Sequence, residues 1–278
     1  RMDGGGLLKG RYWLNTKNYN DGQELFRLLL DMEYEKHPES LKARARRVNT
    51  EYNTKVKKKK RQADVRKRKV EIIAAGVKLD RYGLISLSGG NVSMRIDKET
   101  LLVTPSGMMY EEMVPEDVLV MALDGTIIEG KRRPSVDTIA IRYIFQKLPA
   151  VNAVIHTHQP YATGIGLVVD RIDCDVTTLA NTAKGHVNVA PYSSAASIDM
   201  GYAVVDHIGD QLAVVLKNHG VVTIGKSLKE ALYAAVYLEE AAKTLYVAHS
   251  YGGKVAKLNE EQIQTAVEVF KDYGQVKG

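Results

Sequence analysis

Val-Asn-Ala-Val-Ile-His-Thr-His, residues 151–158, is the stretch from which the fold and the site can be read. Val151 to Ile155 has the length and composition of a buried strand, and two histidines one residue apart close it. Alternate residues of a strand share a face, so His156 and His158 can point at one ion. Two imidazoles offer two neutral ligands of borderline softness, and tetrahedral zinc needs more. A second apolar strand, Ala213 to Leu216, ends at Asn218-His219-Gly220 and supplies the third. Glycine after a ligand lets the backbone turn away from an open coordination position. An isolated histidine at a strand end is more often a satisfied polar residue than a ligand. Three histidines on two strand ends point to a divalent-metal site, zinc or another divalent ion, with His156, His158 and His219 as ligands. His37, His186, His207 and His249 lack this setting.

Working outward, residues 63–79 read as a helix, with Val65, Val70, Ile73 and Val77 at helical spacing. Gly83 breaks it before the loop Ser86-Leu87-Ser88-Gly89-Gly90-Asn91. Strand-like runs follow at 92–96, 101–104, 118–123 and 126–129. Asp124-Gly125 joins the last two as a hairpin. A helix at 136–147 leads into the quoted strand, and another strand is expected at 212–217. A long helix at 228–249 opens with Ser227-x-x-Glu230, a capping-box pattern. Hairpin-linked strands interspersed with helices imply an α/β fold: a three-layer α/β/α sandwich around a mostly antiparallel central sheet. In Pro134-Ser135-Val136-Asp137-Thr138, Asp137 falls in the first turn of a helix, where the dipole favours negative charge. It is either ordinary helix-start chemistry or a fourth ligand or general base beside the metal, and the spacing does not separate these.

The chain of 278 residues divides by composition into a basic extension, 1–62, expected to be partly helical or disordered, and a domain carrying the candidate metal site, 63–278. Residues 1–6 read as a flexible lead-in, a short helix is expected around 22–35, and a basic run follows. Residues 1–70 carry 20 Lys/Arg against 9 Asp/Glu, so the net charge of +6 describes an N-terminal arm rather than the body. The arm lacks aromatic interleaving and zinc-finger spacing, which argues against nucleic-acid readout. No run is long enough to span a bilayer, and no signal-peptide core is visible. The single cysteine, Cys174, excludes an internal disulfide framework and fits a reducing, cytoplasmic setting.

Six segments, in order, complete a pattern: Ser88-Gly89-Gly90-Asn91-Val92-Ser93, Thr104-Pro105-Ser106-Gly107, Pro134-Ser135-Val136-Asp137, His156-Thr157-His158, Ala190-Pro191-Tyr192 and Asn218-His219-Gly220. From about 63 to 275 the chain resembles the class II aldolase/adducin family, which includes L-fuculose-phosphate aldolase and L-ribulose-5-phosphate 4-epimerase. The resemblance implies zinc held by the three histidines with Asp137, and a phosphate pocket built from Ser88, Gly90, Asn91, Ser106, Gly107 and Ser135. Hydroxyls and glycine-exposed N–H groups can cradle a phosphate without a lysine. It further implies a homotetramer with active sites at subunit interfaces, a small sugar-phosphate substrate, and an enediolate stabilised by zinc as a carbon–carbon bond breaks or re-forms.

The fingerprints of the two activities are mixed. Gly89-Gly90-Asn91 and Thr104 resemble the aldolase, whereas Asp137 and Tyr273-Gly274-Gln275 resemble the epimerase. Tyr273 is a candidate acid/base under either reading. Thr177 stands where the aldolase has a catalytic tyrosine, and Asn181 where the epimerase has an aspartate. Neither exchanges a proton near neutral pH. Val136 replaces a phosphate-binding serine. The expectation is a zinc-dependent aldolase that cleaves an L-fuculose-1-phosphate-like substrate to dihydroxyacetone phosphate and an aldehyde. An epimerase is the first alternative and a non-catalytic adducin-like interaction module the second.

Overall fold

The computed structural model describes residues 38–271; the segment around 22–35 and Tyr273 lie outside them. The chain divides into two compact units, residues 1–64 and 65–278. One helix, α1 (Pro38–Arg81), starts well before the expected residue 63. Pro38 suits a first helical position, and no glycine or proline interrupts residues 39–75. Lysine and arginine are good helix formers, so a basic run continues a helix readily.

In the second unit the buried stripe of α1 is Lys69, Ile72, Ala75 and Leu79. Val70, expected on the apolar face, is exposed: the 3.6-residue period is set by Ile72, Ala75 and Leu79. The end of the basic run also departs from the reading as an arm. Arg66 pairs with Glu116, Arg68 donates to the Arg95 carbonyl at 3.1 Å, and the buried Lys69 ammonium lies 2.6 Å from Glu129. Arg66, Arg68 and Lys69 are thus tied to the body, Lys69 with its apolar stem buried and its charge paired. α1 stops in a Schellman motif: Leu84 N–H donates to Leu79 O at 2.9 Å, Gly83 N–H to Asp80 O at 2.8 Å, with Gly83 at φ +70°.

Nine strands follow: β1 (Asn91–Arg95), β2 (Thr100–Val103), β3 (Leu119–Ala122), β4 (Ile127–Glu129), β5 (Ala153–Thr157), β6 (Arg171–Asp173), β7 (His186–Ala190), β8 (Ala213–Leu216) and β9 (Gly220–Gly225). They form one sheet in the order β4-β3-β2-β1-β5-β9-β8-β7-β6. Only β7 and β8 run parallel. The Asp124-Gly125 hairpin forms with a three-residue loop: Ala122 N–H reaches Thr126 O and Gly125 takes φ +101°.

The helices between and after the strands are α2 (Thr138–Lys147), α3 (Pro160–Gly166), α4 (Ala180–Ala183), α5 (Ile198–His207), α6 (Leu228–Ser250) and α7 (Glu260–Lys271). α2 and α5 cover one face of the sheet, where Ile141, Ile144, Phe145, Met200 and Val204 pack on Leu101, Val154 and Val222. The other face carries α1 and the start of α6 over Val92, Ala153 and Ile155. Beside them, the rest of α6 with α3, α4 and α7 lies over Val187, Val215 and Val221. The chain thus adopts the expected three-layer sandwich. Helices on both faces make the strands read as continuous apolar runs rather than alternating ones. Among the described residues no helix is long and apolar enough to cross a membrane.

Candidate active site

The register brings the chemistry to one end of the sheet. Asn91 at the start of β1 pairs with His156 near the end of β5, Thr157 with Val221 of β9, and Leu216 with Gly220. Along β5, Ala153 and Ile155 face α1 and α6 while Val154 faces α2. Strand alternation therefore puts His156 on the α2 side, the side on which Asp137 precedes α2.

His156, His158 and His219 come together, with one ligand nitrogen of each lying within 4.8 Å of the others. His156 Nε2 is 3.1 Å from His158 Nε2. Two nitrogens bound to one tetrahedral zinc stand about 3.3 Å apart. His156 is buried and its Nδ1 lies 3.0 Å from the Val221 carbonyl, which fixes the tautomer with Nε2 free as ligand. His219 Nδ1 is buried and has no hydrogen-bond partner among the described residues. An orphaned nitrogen, a facing nitrogen pair and a carbonyl-fixed tautomer together fit a divalent ion. His158 is exposed, which leaves a solvent-open side.

Electrostatics favour the ligand form. Burial pushes His156 far below the usual imidazole range, the neighbouring His219 and His158 add to this, and Asp137 opposes it. His219 is lowered by burial and by His158, again against Asp137. Neutral imidazoles are the protonation state a metal requires.

Two glycines make room for the rings. A Cβ on Gly220 would lie 2.3 Å from Thr157 O, 3.1 Å from His158 Cδ2 and 3.2 Å from His156 Cε1. A Cβ on Gly89 would lie 3.2 Å from His158 Nδ1. Gly220 is thus required by space rather than by a turn; the turning residue is Asn218, at φ +61° in the β8–β9 loop.

Asp137 occupies the N-cap position of α2 but makes no side-chain cap bond. Its buried carboxylate accepts from Asn91 Nδ2 at 3.0 Å and from Ala196 N–H at 3.2 Å. Helix capping therefore does not account for it. It stands outside the group of nitrogens lying within 4.8 Å of one another, yet close enough to act on His156 and His219. Ala196 aims its N–H from a positive φ of +56°. With Leu87 and Asn218, it makes three of the four non-glycine residues at positive φ among the described residues, all in loops that carry the site.

The residues expected in a phosphate pocket lie on three loops, with Asn91 at the start of β1. Ser88, Ser106 and Gly107 are exposed, Asn91 and Ser135 are buried, and Gly90 takes φ +74° with its Cα side against the His156 carbonyl. A bridge between Pro105 and Pro134, with Ser106 N–H on Arg133 O, joins the loop of Ser106 to that of Ser135. Ser135 Oγ accepts the Asp137 N–H at 3.4 Å. Thr177 is exposed and Asn181 half-buried. Tyr273 falls outside the described residues. Sequence reasoning missed Ala196 and the Val221 carbonyl, which act through the backbone and leave no side-chain signal. It also missed Glu239, whose carboxylate falls on the apolar stripe of α6 with Ala235, Ala242 and Leu245 and could have been found there.

Known proteins resemble this chain in sequence and fold. The model of the class II aldolase and adducin N-terminal domain matches residues 70–246. A 5-deoxy-D-ribulose 1-phosphate aldolase of Bacillus thuringiensis serovar kurstaki is 33% identical over 212 residues, covering 76% of this chain and 99% of that protein. The L-ribulose-5-phosphate 4-epimerase UlaF of Salmonella paratyphi B is 32% identical over 200 residues, 66% of this chain and 86% of its own. A solved L-fuculose 1-phosphate aldolase superposes with a TM-score of 0.68 at 28% identity, covering 73% of this chain and 95% of that one. The chain belongs to the class II aldolase and adducin family, as an enzyme of its aldolase–epimerase kind.

Proposed function

We propose that this chain is a zinc-dependent aldolase cleaving a small ketose 1-phosphate to dihydroxyacetone phosphate and an aldehyde. The observation that carries the reading is the cluster of three imidazoles at an open end of the sheet, with a buried, non-capping carboxylate beside it. His156, His158 and His219 would hold the zinc. When bound, zinc supplies the Lewis acidity that lets a hydroxyketone release a proton or a carbon–carbon bond. Asp137, held by Asn91 and Ala196, would move the proton as base and would serve as the fourth ligand. Ser88, Asn91, Ser106, Gly107 and Ser135 offer hydroxyl, amide and N–H donors to the phosphate. Tyr273 is the proposed proton donor.

The likeness to an aldolase of a 5-deoxypentulose 1-phosphate favours a short, deoxygenated aldehyde product over the L-fuculose-derived one. A 4-epimerase is the second reading, favoured by the aspartate at 137 and by the similarity to UlaF. Site loops carry exposed apolar side chains, Leu87 (74% exposed), Val136 (59%) and Tyr192 (68%), which supports a homo-oligomer, a tetramer, with its active sites at subunit interfaces. The lone buried Cys174 supports a cytoplasmic setting.

Elemental analysis combined with a retro-aldol screen of pentulose and deoxyhexulose phosphates tests this. About one zinc per chain with chelator-sensitive release of dihydroxyacetone phosphate is the expected result. Zinc without cleavage favours the epimerase, and absence of any divalent metal refutes the proposal.

A further inference from the structure

His158 is the ligand that the sheet does not hold. β5 ends at Thr157, the His158 ring is exposed, and beyond its N–H, which donates to Leu84 O at 3.1 Å, no ladder bond fixes it. What fixes the chain lies immediately after it, and on another layer. Gln159 is fully buried: its Oε1 accepts from Thr157 Oγ1 at 2.7 Å and its Nε2 donates to the Ala235 carbonyl of α6 at 3.4 Å. Pro160 then opens α3. The N–H groups of Tyr161 and Ala162 donate at 3.0 Å each to the two carboxylate oxygens of Glu239, also on α6.

This is an uncommon way to start a short helix. The first N–H groups are ordinarily satisfied by a Ser, Thr, Asp or Asn at the N-cap itself. Here the N-cap Gln159 makes no such bond, and a carboxylate some eighty positions away takes its place. Glu239 is 1% exposed, and burying a carboxylate is costly unless it is well paired. Burial pushes its carboxyl upward, against the two N–H bonds and Lys243. An apolar residue would fill the same place in the stripe of α6 more cheaply. What only a carboxylate supplies is a two-point clamp with fixed spacing.

We infer that Glu239, together with Gln159, is a positioning residue for the metal centre: it clamps the chain just beyond His158 to α6 and so fixes where the His158 imidazole stands. The inference rests on reading the three histidines as a metal site. Glu239 acts through geometry, since it is not among the charges that shift His156 or His219.

The test uses the full chain and zinc alone, by chelator competition. In Glu239→Gln one acceptor becomes a donor facing an N–H, and zinc affinity is expected to fall about 10–100-fold, the range seen when groups that orient a ligand are lost. Glu239→Asp keeps the charge with a shorter reach, so it gives an intermediate loss and serves if the glutamine variant folds poorly. Leu245→Ala, in the core under the same helix, lowers the melting temperature and leaves zinc affinity unchanged. Wild-type zinc affinity in Glu239→Gln, with a lowered melting temperature, overturns the inference. Should the wild type take no zinc, the metal reading falls by itself, and ring signals of the metal-free, 15N-histidine-labelled protein decide the inference. Displaced His158 signals with unmoved His207 and His249 support it; unmoved His158 signals overturn it.

Discussion

Gly220→Ala tests the packing of the site at its tightest point. The added Cβ would lie 2.3 Å from Thr157 O, where ordinary contact begins at 3.4 Å, so backbone atoms must part by about 1 Å. Neither partner yields easily. Thr157 is paired with Val221 in the sheet, and the two rings at 3.1 and 3.2 Å are those of His158 and His156, the proposed metal ligands. Overpacking of this kind costs about 1–3 kcal/mol. In a unit of this size that lowers the melting temperature by about 2–4 °C per kcal/mol. Separating β5 from β9 also spreads His156 and His158 relative to His219, so zinc affinity should fall at least about tenfold. Gly164 supplies the internal control. It lies in α3, where an added Cβ would meet nothing within 4 Å, so Gly164→Ala should stabilise by about 0.5–1 kcal/mol and leave zinc binding alone. Thermal melts in chelator and in zinc, with chelator competition, read both quantities. Wild-type stability and zinc affinity in Gly220→Ala would refute the argument that this glycine exists to admit the imidazoles.

Four further outcomes are expected. His158→Ala should lose most of its zinc while its far-ultraviolet circular dichroism stays that of the wild type, because the exposed ring contributes little packing; a fully metalled variant contradicts the ligand assignment. Asp137→Asn should reduce turnover by about 10²–10⁴-fold with a much smaller loss of zinc, and unchanged turnover in the retro-aldol assay would remove Asp137 from the chemistry. The lowered affinities of His156 and His219 for protons mean that, below the ordinary imidazole value of 6.5, the unfolded chain binds protons the folded one does not. Stability of the metal-free protein should therefore be level above about pH 6.5 and decline as pH falls below it; a decline no steeper than that of His156→Gln in urea melts would contradict this. Deleting residues 1–62 should leave a folded chain that still binds zinc, and a truncated chain without cooperative unfolding would place the boundary wrongly.

Elements bounded by strong local chemistry were legible in the sequence. The Schellman stop at Gly83, the Asp124-Gly125 hairpin and the α6 start at Ser227 each depend on a few adjacent residues. Even there the details moved: Glu230 reaches back to the N–H of Lys226 rather than that of Ser227. β6, β7 and β9 and helices α3, α4, α5 and α7 were not legible. β9 is buried on both faces between two glycines, so its run shows neither alternation nor helical spacing. Val70 and Lys69 reversed their expected roles because burial of α1 is decided by what it packs against, Tyr110 and the sheet among them, and Gly76 leaves space for the Tyr110 ring.

For the site, the sequence by itself singled out the three candidate donors, which the structure brings together. Two histidines two positions apart at the end of a strand can share a face, and His219 at the end of another apolar run offers a third nitrogen. Which donors meet, and how each is held, was decided only by the tertiary structure. The register that sets Asn91 opposite His156 carries Asn91 to Asp137, and a loop at positive φ brings the Ala196 N–H to the same carboxylate. The carboxylate that takes the N–H groups of Tyr161 and Ala162, just beyond His158, comes from α6, some eighty residues downstream. The physical reason is that a ligand's chemistry belongs to its own side chain, whereas its orientation belongs to hydrogen bonds made with atoms distant in sequence, many of them backbone atoms that every residue carries alike.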